Sequence, residues 1–354
     1  MDAVKDIRDD LLRLFPRLRG LSAGAYVVGG AVRDLIFGAA PADVDVACLD
    51  PFVCARTLGR KVIRLGREDH LSAWRVVDGA HVYDFAALLD GSIDADLARR
   101  DFTINAMAVD LASGALLDPH GGREDLRQRL VRMVDASNFD DDPLRMLKAV
   151  RMAVRFDFAI EESTLQAIRI RAGRITSVAV ERVAYELLVI FSAKSFRRAL
   201  ALLHDTSLDV PLFGHALDQD SFAADDVPVA AALALLIDDP EVFAKRWRLS
   251  ATLLRDVQSL QRLRDAHTLL DLYDAGERVA RQLAPMLRAL GRDEPVALPD
   301  FGTWTFLSGD EIASLSGIPP GPRVGQLKRA LLEAQLMGRI TTRDEAAAFI
   351  TASA

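Results

Sequence analysis

The sequence is poor in cysteine and in long apolar runs. Its two cysteines, Cys48 and Cys54, form neither a CxxC nor a His-rich zinc pattern. A structural zinc site is therefore not expected, whereas a reduced, cytoplasmic setting is. The longest apolar stretch, VPVAAALALLI, stops at Asp238 and is too short to cross a bilayer, so no membrane partner is expected. The first twenty residues carry acids and lack the apolar core of a secretory signal.

The chain also lacks an excess of positive charge. Its formal net charge is −7, which argues weakly against nucleic-acid binding because phosphate contacts need local positive charge. Basic residues are nevertheless concentrated between positions 145 and 198. This run predicts either a basic face on an acidic protein or a set of solvated helix faces. Its members are Arg145, Lys148, Arg151, Arg155, Arg169, Arg171, Arg174, Arg182, Lys194, Arg197 and Arg198.

The length of 354 residues predicts a globular protein of two or three domains. Up to about residue 125, short β-type runs alternate with glycine-bearing turns. These runs include AYVV, DVDVACL and a hairpin formed by SAWRVV and HVYDFAAL. Beyond residue 125, apolar residues recur at helical spacing almost throughout. The pattern therefore predicts a mixed α/β domain followed by a helical region.

A glycine turn is the first candidate for chemistry. Gly29 and Gly30 follow the AYVV strand and open a helix that carries Arg33. Glycines let backbone N–H groups approach a phosphate closely, and a helix N-terminus favours anions. Arg33 can add a forked cationic donor. The spacing fits neither a Rossmann GxGxxG nor a Walker P-loop, so the turn predicts a phosphate cradle of another kind.

Two acids follow on the next strand. Asp43 and Asp45 are separated by one residue, so in a strand they project to the same face. Paired carboxylates repel unless a cation sits between them, and Mg²⁺ prefers such oxygen ligands. Acids at this spacing are also common on protein surfaces. Asp84, inside the apolar HVYDFAAL run, is the best candidate for a third metal ligand, and an acid at an edge or paired with a nearby arginine is the alternative.

Several motifs occur together in one order. They are GGAVRD, DVDVA, RRDFTINAMAVD (99–110), DPHGGREDL (118–126), DDPLRMLKAVRMAVRFDF (141–158) and ERVAYELL (181–188). Over roughly residues 24 to 215 the chain resembles the class II tRNA nucleotidyltransferase and bacterial poly(A) polymerase family, of the DNA polymerase beta superfamily. The resemblance implies an α+β fold, with a mixed-sheet nucleotidyltransferase head at 1–125. It further implies a helical neck at 126–192, for base recognition, and a helical, RNA-binding body and tail at 193–354.

The resemblance also assigns roles to individual residues. It implies that Asp43, Asp45 and Asp84 hold Mg²⁺ as the catalytic acids. The remaining residues are implied to bind the nucleotide. They are Gly29, Gly30 and Arg33 at the triphosphate, Arg100 at the nucleotide, Asp101 and Asn105 at the sugar, Asp142 and Arg145 at the base, and Lys148 and Arg151 farther along the same helix face.

The implied reaction is template-independent addition of CMP, AMP or both, from CTP and ATP, to the 3′ end of tRNA. A poly(A) polymerase is the alternative within the same chemistry, and a non-catalytic RNA-binding relative is the alternative of another class. The presence of all three acids argues against the latter. The sequence leaves the oligomeric state open.

The chain departs from the family pattern in four places. Lys148 replaces an arginine and loses its planar fork, Arg151-Met152 replaces an Arg-Phe pair, and the strand of the third acid reads DFAALL instead of a Thr-Phe-Arg-like run. Only residues 86–98 separate Phe85 from Arg99, where many CCA-adding relatives have a longer flexible loop. A short segment is typical of enzymes that add only CC. The alternative is a subfamily that trimmed the loop and switches nucleotide by other means.

Two further features are predicted to be structural. The His-Asp pair in HDTSL (204–208) suggests a metal-dependent phosphohydrolase, but no cluster of further histidines supports it, so we expect a helix end there. Trp74, Trp247 and Trp304 are too scattered along the sequence to form a base-stacking platform, and we expect them to be packing residues.

Overall fold

The computed structural model describes residues 7–21, 23–59, 61–65, 73–79 and 81–353. The chain divides into two compact units. Unit 1 comprises Met1–Glu186 and Leu202–Leu212, and unit 2 comprises Leu187–Ala201 and Phe213–Ala354. The mixed sheet lies within unit 1, whereas the elements of unit 2 are helices. This arrangement confirms the predicted α+β class.

Seven strands form one mixed sheet in unit 1. They are β1 (Ala25–Val28), β2 (Asp43–Cys48), β3 (Ile63–Leu65), β4 (Ala73–Asp78), β5 (His81–Ala87), β6 (Ala108–Asp110) and β7 (Leu116–Leu117). Their order is β3-β4-β5-β2-β1-β6-β7. β2 and β5 pair in parallel, and the other neighbours pair antiparallel. The predicted hairpin is thus confirmed as β4 and β5. Two further short strands, β8 (Leu130–Val131) and β9 (Ala159–Ile160), form a separate parallel pair.

Helices make up most of the remaining chain. Up to residue 213 they are α1 (Ile7–Leu14), α2 (Gly30–Phe37), α3 (Pro51–Leu58), α4 (Ile93–Ala98), α5 (Gly122–Gln128), α6 (Asn138–Asp141), α7 (Leu144–Phe156), α8 (Glu162–Arg171), α9 (Val180–Phe191), α10 (Phe196–Asp205) and α11 (Asp209–Phe213). Beyond it they are α12 (Val229–Leu236), α13 (Pro240–Trp247), α14 (Ala251–Asp265), α15 (Leu269–Ala275), α16 (Glu277–Ala289), α17 (Gly309–Ser316), α18 (Pro322–Leu336) and α19 (Arg343–Ser353).

The alternation of side chains along β2 explains how the sheet presents acids. Val44 and Val46 are each 1% exposed and form part of the core, whereas Asp43 and Asp45 lie on the exposed face. A strand with one buried face and one polar face is the usual arrangement for a half-covered sheet. The apolar residues therefore fix which way the two carboxylates point.

Helix α7 likewise has one buried, apolar face and one more accessible, basic face. Leu144, Leu147 and Val150 are buried, and their spacing of three places them on one face. Arg145 and Lys148 are each one position farther along and are only partly buried. The burial of the apolar stripe thus holds the basic residues of DDPLR and its continuation on a common, more accessible face.

Unit 2 contains two apolar cores. Helix α12 is buried on nearly all sides and packs against α14 and α16, as expected for a helix that is apolar all around. Helices α17 to α19 enclose a separate cluster, which includes Ile312, Leu331 and Ile350, each 0% exposed. Within the described residues, none of the helices has the length and apolar character needed to span a bilayer.

The structure separates the three tryptophans. Trp247 is 2% exposed and packs against Phe243, and Trp74 packs against Phe52 with ring centroids 4.8 Å apart. The packing prediction is wrong for Trp304, which is 80% exposed. It lies on an irregular segment between α16 and α17, where its backbone carbonyl accepts a hydrogen bond from Gln335 while the ring faces solvent.

The HDTSL segment is a helix end, as predicted, because α10 ends at Asp205. His204 Nδ1 lies 2.8 Å from Asp209 Oδ2, so the imidazole is paired with an acid at the start of α11. This local hydrogen-bonded contact accounts for the histidine without a metal.

Candidate active site

A row of directly opposed residues crosses four strands of the sheet. Val28 of β1 pairs in register with Asp45 of β2, and Asp45 pairs with Asp84 of β5. Asp84 in turn pairs with Arg75 of β4. Directly opposed residues project to the same face of a sheet. The fold therefore brings the candidate third acid beside Asp45, and it adds an arginine that the sequence reading did not include.

The glycine turn lies next to this row. Gly29 has φ +74° and ψ −130°, a conformation in which a side chain is strained. A Cβ built on it would lie 2.8 Å from Nη1 of Arg100 and 3.8 Å from Oδ2 of Asp45. Glycine is therefore required by the backbone angle, and the end of the Arg100 side chain lies directly against the turn. The turn, Arg100 and Asp45 form one compact group at the end of β1.

Arg33 is held in the interior of unit 1. It is 5% exposed, and its Nη1 donates to Oδ1 of Asn105 over 2.6 Å. Its Nε and Nη2 donate to Oδ1 of Asp34, and the guanidinium lies 4.8 Å from the ring centroid of Phe156. In the structure Arg33 thus ties α2 to Asn105 and α7. Its predicted contact with a triphosphate stays a prediction.

The two predicted sugar-binding residues contact each other. Nδ2 of Asn105 donates to Oδ1 of Asp101 over 3.0 Å, and Oδ1 of Asp101 also accepts from the backbone N–H of Phe102. Arg33, Asn105 and Asp101 consequently form a continuous hydrogen-bonded chain. This chain fixes the orientation of the Asp101 carboxylate at the surface of the site.

The acids on the neighbouring strands β2 and β5 repel one another. Asp45 is accessible to water, yet the pKa of its carboxyl is raised to about 6, mainly because the surrounding protein desolvates it; Arg100 and Arg75 oppose this rise, and repulsion from Asp84 and Asp43 adds to it. A cluster of carboxylates whose mutual repulsion is only partly offset by arginines has the oxygen donors that suit a hard divalent cation. The donor chemistry of Asp43 and Asp45 therefore fits Mg²⁺.

The carboxylate of Asp84 is already paired with an arginine. Its Oδ1 and Oδ2 accept hydrogen bonds from Nε and Nη2 of Arg75 over 2.7 and 2.6 Å, a bidentate ion pair. In the described part of the chain, no three acidic, histidine or cysteine side chains come together as a ready-made metal site. The alternative of an acid paired with a nearby arginine is thus realised for Asp84. A metal ion bound by all three acids must compete with Arg75.

A cavity of about 560 Å³ brings five predicted nucleotide-binding residues together. Its volume lies within the range of small-molecule sites. The predicted residues in its lining are Arg100, Asp101, Asp142, Arg145 and Lys148. These positions come from the RRDFTIN motif and from the start of α7, which are far apart in sequence. Their convergence supports a common ligand, and Arg100 joins the cavity to the glycine turn and Asp45.

The predicted base-reading pair, Asp142 and Arg145, contacts residues outside the DDPLR motif. Nη2 and Nη1 of Arg182 donate to the carboxylate of Asp142 over 2.9 and 3.3 Å. Burial opposes ionisation of Asp142, but Arg182 and Lys148 outweigh it and hold its pKa below the usual value. Nη1 of Arg145 donates to the backbone carbonyl of Asn138 over 3.2 Å. Asp142 is therefore an ionised, oriented acceptor at neutral pH.

Arg151 lies farther along α7 and is not among the residues that line the cavity. Its Nε is 3.2 Å from Oε2 of Glu186, and burial raises the pKa of Glu186. Glu186 and Arg182 are four positions apart on α9 and so share a face. Each of the two charges pairs with a residue of the DDPLR motif or of α7, Arg182 with Asp142 and Glu186 with Arg151.

The short 86–98 segment is folded and lines the same cavity. Leu88, Leu89 and Asp90 contribute to the lining, and Asp90 has a left-handed φ of 49°. Helix α4 follows, and its Asp96 accepts hydrogen bonds from Nη2 and Nε of Arg100 over 2.9 and 3.2 Å. The segment thus forms one wall of the cavity and positions Arg100.

Acidic partners take up much of the basic run from 145 to 198. In unit 1, Arg171 and Arg174 both pair with Asp140. In unit 2, Lys194 and Arg197 pair with acids at 226 and 220. These ion pairs favour the reading of solvated helix faces for the four residues named. Arg145 and Lys148 instead line the cavity.

Comparison with known proteins places the chain among enzymes of one type. Residues 25–88 and 68–132 match the poly A polymerase head domain, and residues 157–217 match a probable RNA and SrmB-binding site of polymerase A. An A-adding tRNA nucleotidyltransferase of Deinococcus radiodurans is 32% identical over 96% of this chain and 98% of its own. A CC-adding tRNA nucleotidyltransferase of Geobacter sulfurreducens is 32% identical over 92% and 91%.

A solved structure agrees with these relatives. The Bacillus stearothermophilus CCA-adding enzyme in complex with CTP has a TM-score of 0.81 and 28% identity, over 99% of this chain and 98% of its own. The match covers the head and the helical remainder alike. The chain therefore belongs to the class II tRNA nucleotidyltransferase family, whose members include CCA-adding, CC-adding and A-adding enzymes.

Proposed function

We propose that this protein adds CMP, AMP or both to the 3′ end of tRNA, from CTP and ATP and with Mg²⁺. The observation that carries the proposal is the 560 Å³ cavity, where five nucleotide-binding positions converge within reach of the glycine turn. In the reaction the 3′-hydroxyl of the RNA attacks the α-phosphate, and pyrophosphate leaves. Most of the rate enhancement then comes from positioning and from charge stabilisation at the phosphates.

The acids and Arg100 act at the phosphates in this proposal. Asp43 and Asp45 hold Mg²⁺, with Asp84 as the third ligand, and Mg²⁺ when bound supplies the positive charge that the triphosphate requires. The backbone N–H of Gly30, at the start of α2, approaches the phosphates closely, whereas that of Gly29 donates to the carbonyl of Met107 and Gly29 serves the turn through its backbone angle. Arg100 lies beside both Gly29 and Asp45, so its guanidinium binds the same phosphates.

Protein side chains replace a template in selecting the base. Asp142 accepts a hydrogen bond from the exocyclic amine of C or A, and Arg145 donates to a ring acceptor of the same base. Arg182 holds Asp142 ionised, which excludes a base that presents only acceptors at that position. Asp101, oriented by Asn105, accepts from a ribose hydroxyl.

The functional boundaries remain as predicted from the resemblance. We assign residues 1–125 to the catalytic head, 126–192 to a neck that recognises the base, and 193–354 to a body and tail that bind RNA. The substrate tRNA implies a cytoplasmic location. The relatives act with different nucleotide preferences, and the shortness of the 86–98 segment favours CC addition as the specific form of the activity.

A nucleotide-resolved extension assay tests the proposal. The protein is incubated with Mg²⁺ and a tRNA that ends at its discriminator base, at C or at CC, with CTP alone, ATP alone or both. CC addition predicts two CMP additions to the shortest RNA and no AMP on the RNA ending in CC. CCA addition predicts AMP on that RNA, and long AMP tracts on any RNA select a poly(A) polymerase. If no nucleotide is incorporated with any combination of RNA and nucleotide, the proposal that the protein is a nucleotidyltransferase is refuted.

A further inference from the structure

Arg75 lies beside the candidate metal-binding acids, although it belongs to none of the family motifs. It lies on β4, directly opposite Asp84 in register, and it forms a bidentate ion pair with that carboxylate. Its side chain is 40% exposed and that of Asp84 is 21% exposed. The pair thus lies at the accessible face of the site. The register of the β4–β5 hairpin fixes the contact, so it does not depend on a mobile loop.

The guanidinium acts on all three acids. The hydrogen bond to Asp84 raises the pKa of Arg75, and attraction to Asp43 and Asp45 raises it further. Arg75 also acts to lower the pKa of Asp45, as Arg100 does. Three carboxylates therefore carry two nearby arginines as counter-ions in the metal-free protein. A divalent cation bound there would interact with the same three carboxylates that Arg75 and Arg100 neutralise in the metal-free protein.

A bidentate pair uses both oxygens of Asp84. Planar guanidinium and carboxylate groups are matched in geometry, and such pairs are among the stronger charged contacts. An oxygen of Asp84 that ligates a metal ion can no longer accept the same short hydrogen bond from Arg75. Metal binding by Asp84 and pairing with Arg75 are consequently competing states of one side chain.

We propose that Arg75 is a resident competitor of the metal ion for Asp84, a positioning residue that holds the third acid in the metal-free protein and is displaced when all three acids bind a divalent cation. This inference rests on the metal assignment in the proposed function. It implies that the protein binds the metal ion weakly alone, because displacement of Arg75 opposes binding. A bound triphosphate, as an anion, gives the released guanidinium a new partner.

Metal titration in the absence of RNA and nucleotide tests this inference. Binding of Mn²⁺ is followed by the loss of the free-ion signal in electron paramagnetic resonance. Arg75→Met removes the competitor and is expected to tighten Mn²⁺ binding about tenfold. Arg75→Lys keeps the charge without the fork and is expected to give an intermediate affinity. In an Asp84→Asn background the gain from Arg75→Met should disappear, because the contested ligand is gone.

A control ion pair is available at the other end of β4. Asp78, the last residue of β4, accepts a bidentate pair from Arg17, which precedes β1 in the chain and also donates to the carbonyl of Leu58. Arg17→Met should leave Mn²⁺ affinity unchanged, which separates loss of a sheet ion pair from loss of the competitor. Melting curves of all variants verify that the proteins are folded.

Three results would overturn the inference. They are equal or weaker Mn²⁺ binding by Arg75→Met, an undiminished gain in the Asp84→Asn background, and the absence of binding by both wild type and Arg75→Met. The extension assay, run in parallel on the wild type, distinguishes each of these results from failure of the proposed function. An active wild type with an unaffected Arg75→Met affinity refutes the competitor alone.

Discussion

Asp45 and Asp84 are opposed in register, yet their neutralisation is expected to change stability in opposite directions. In metal-free protein, Asp45→Asn should raise the free energy of unfolding, because it removes a carboxylate that is destabilised when ionised. Asp84→Asn should lower it, because it leaves Arg75 without its bidentate partner. Both substitutions preserve the size of the side chain, so packing is nearly constant.

The magnitude for Asp45 follows from its pKa, which is raised from 3.8 to about 6 in the folded protein. At about 1.4 kcal/mol for each unit, the shift corresponds to about 3 kcal/mol if it is taken in full. Because the residue is accessible to water, screening reduces the expected cost to about 1 kcal/mol. For Asp84, loss of a partly exposed ion pair predicts a decrease of up to about 1 kcal/mol.

The sign of the pH dependence is also determined. A carboxyl whose folded pKa is above its unfolded pKa binds protons more tightly in the native state, so its ionisation destabilises the fold. As the carboxyl of Asp45 ionises, the wild type therefore loses stability between about pH 4 and about pH 6, and the loss is complete above that range. Asn does not titrate. The advantage of Asp45→Asn should be small at about pH 4.5 and full at about pH 7.5.

Urea unfolding in the presence of EDTA measures these differences, and hydrogen exchange of peptides from β1, β2 and β5 locates them in unit 1. Titration with Mg²⁺ should then stabilise the wild type and reduce the advantage of Asp45→Asn. The reasoning is refuted if Asp45→Asn is less stable than the wild type at neutral pH. It is equally refuted if its gain is the same at both pH values.

Two other substitutions test the packing and the base-reading pair. Gly122→Ala should lower the free energy of unfolding by about 2 to 4 kcal/mol, since a Cβ there would overlap the backbone carbonyl of Thr103. Gly173→Ala is the control, because Gly173 has open space around it. Equal unfolding midpoints for the two variants would contradict the close packing at Gly122. Arg182→Gln should raise the KM for CTP about tenfold without changing Mn²⁺ affinity, because Asp142 loses its orienting ion pair; an unchanged KM in steady-state kinetics would count against Asp142 as the base reader.

The sequence predicted the parts of the site that local pattern controls. Alternation along DVDVACL placed Asp43 and Asp45 on one face, and the structure agrees. The Gly-Gly turn was predicted from its place between a strand and a helix, and Gly29 has the positive φ that requires glycine. Such features depend on a few neighbouring residues, which is why spacing alone was sufficient to find them.

Long-range packing controls the features that the sequence reading did not give. Arg33 looked like a free phosphate donor at a helix start, but Phe156 and Asn105, distant in sequence, enclose it. Arg75 meets Asp84 only through the hairpin register, which none of the sequence motifs specifies. Trp304 was assigned to packing from its spacing, whereas the ring lies in solvent on an irregular segment. Burial depends on the final fold rather than on local composition.

The measurement that tests the account most directly is transfer of labelled CMP to a tRNA lacking its 3′ end, by the wild type and by Asp43→Asn, at saturating Mg²⁺. The account predicts incorporation by the wild type and a loss of at least about a hundredfold in the variant, with circular dichroism and melting behaviour showing that both proteins are folded. Incorporation by Asp43→Asn within tenfold of the wild-type rate would contradict the assignment of the paired aspartates as the catalytic metal ligands.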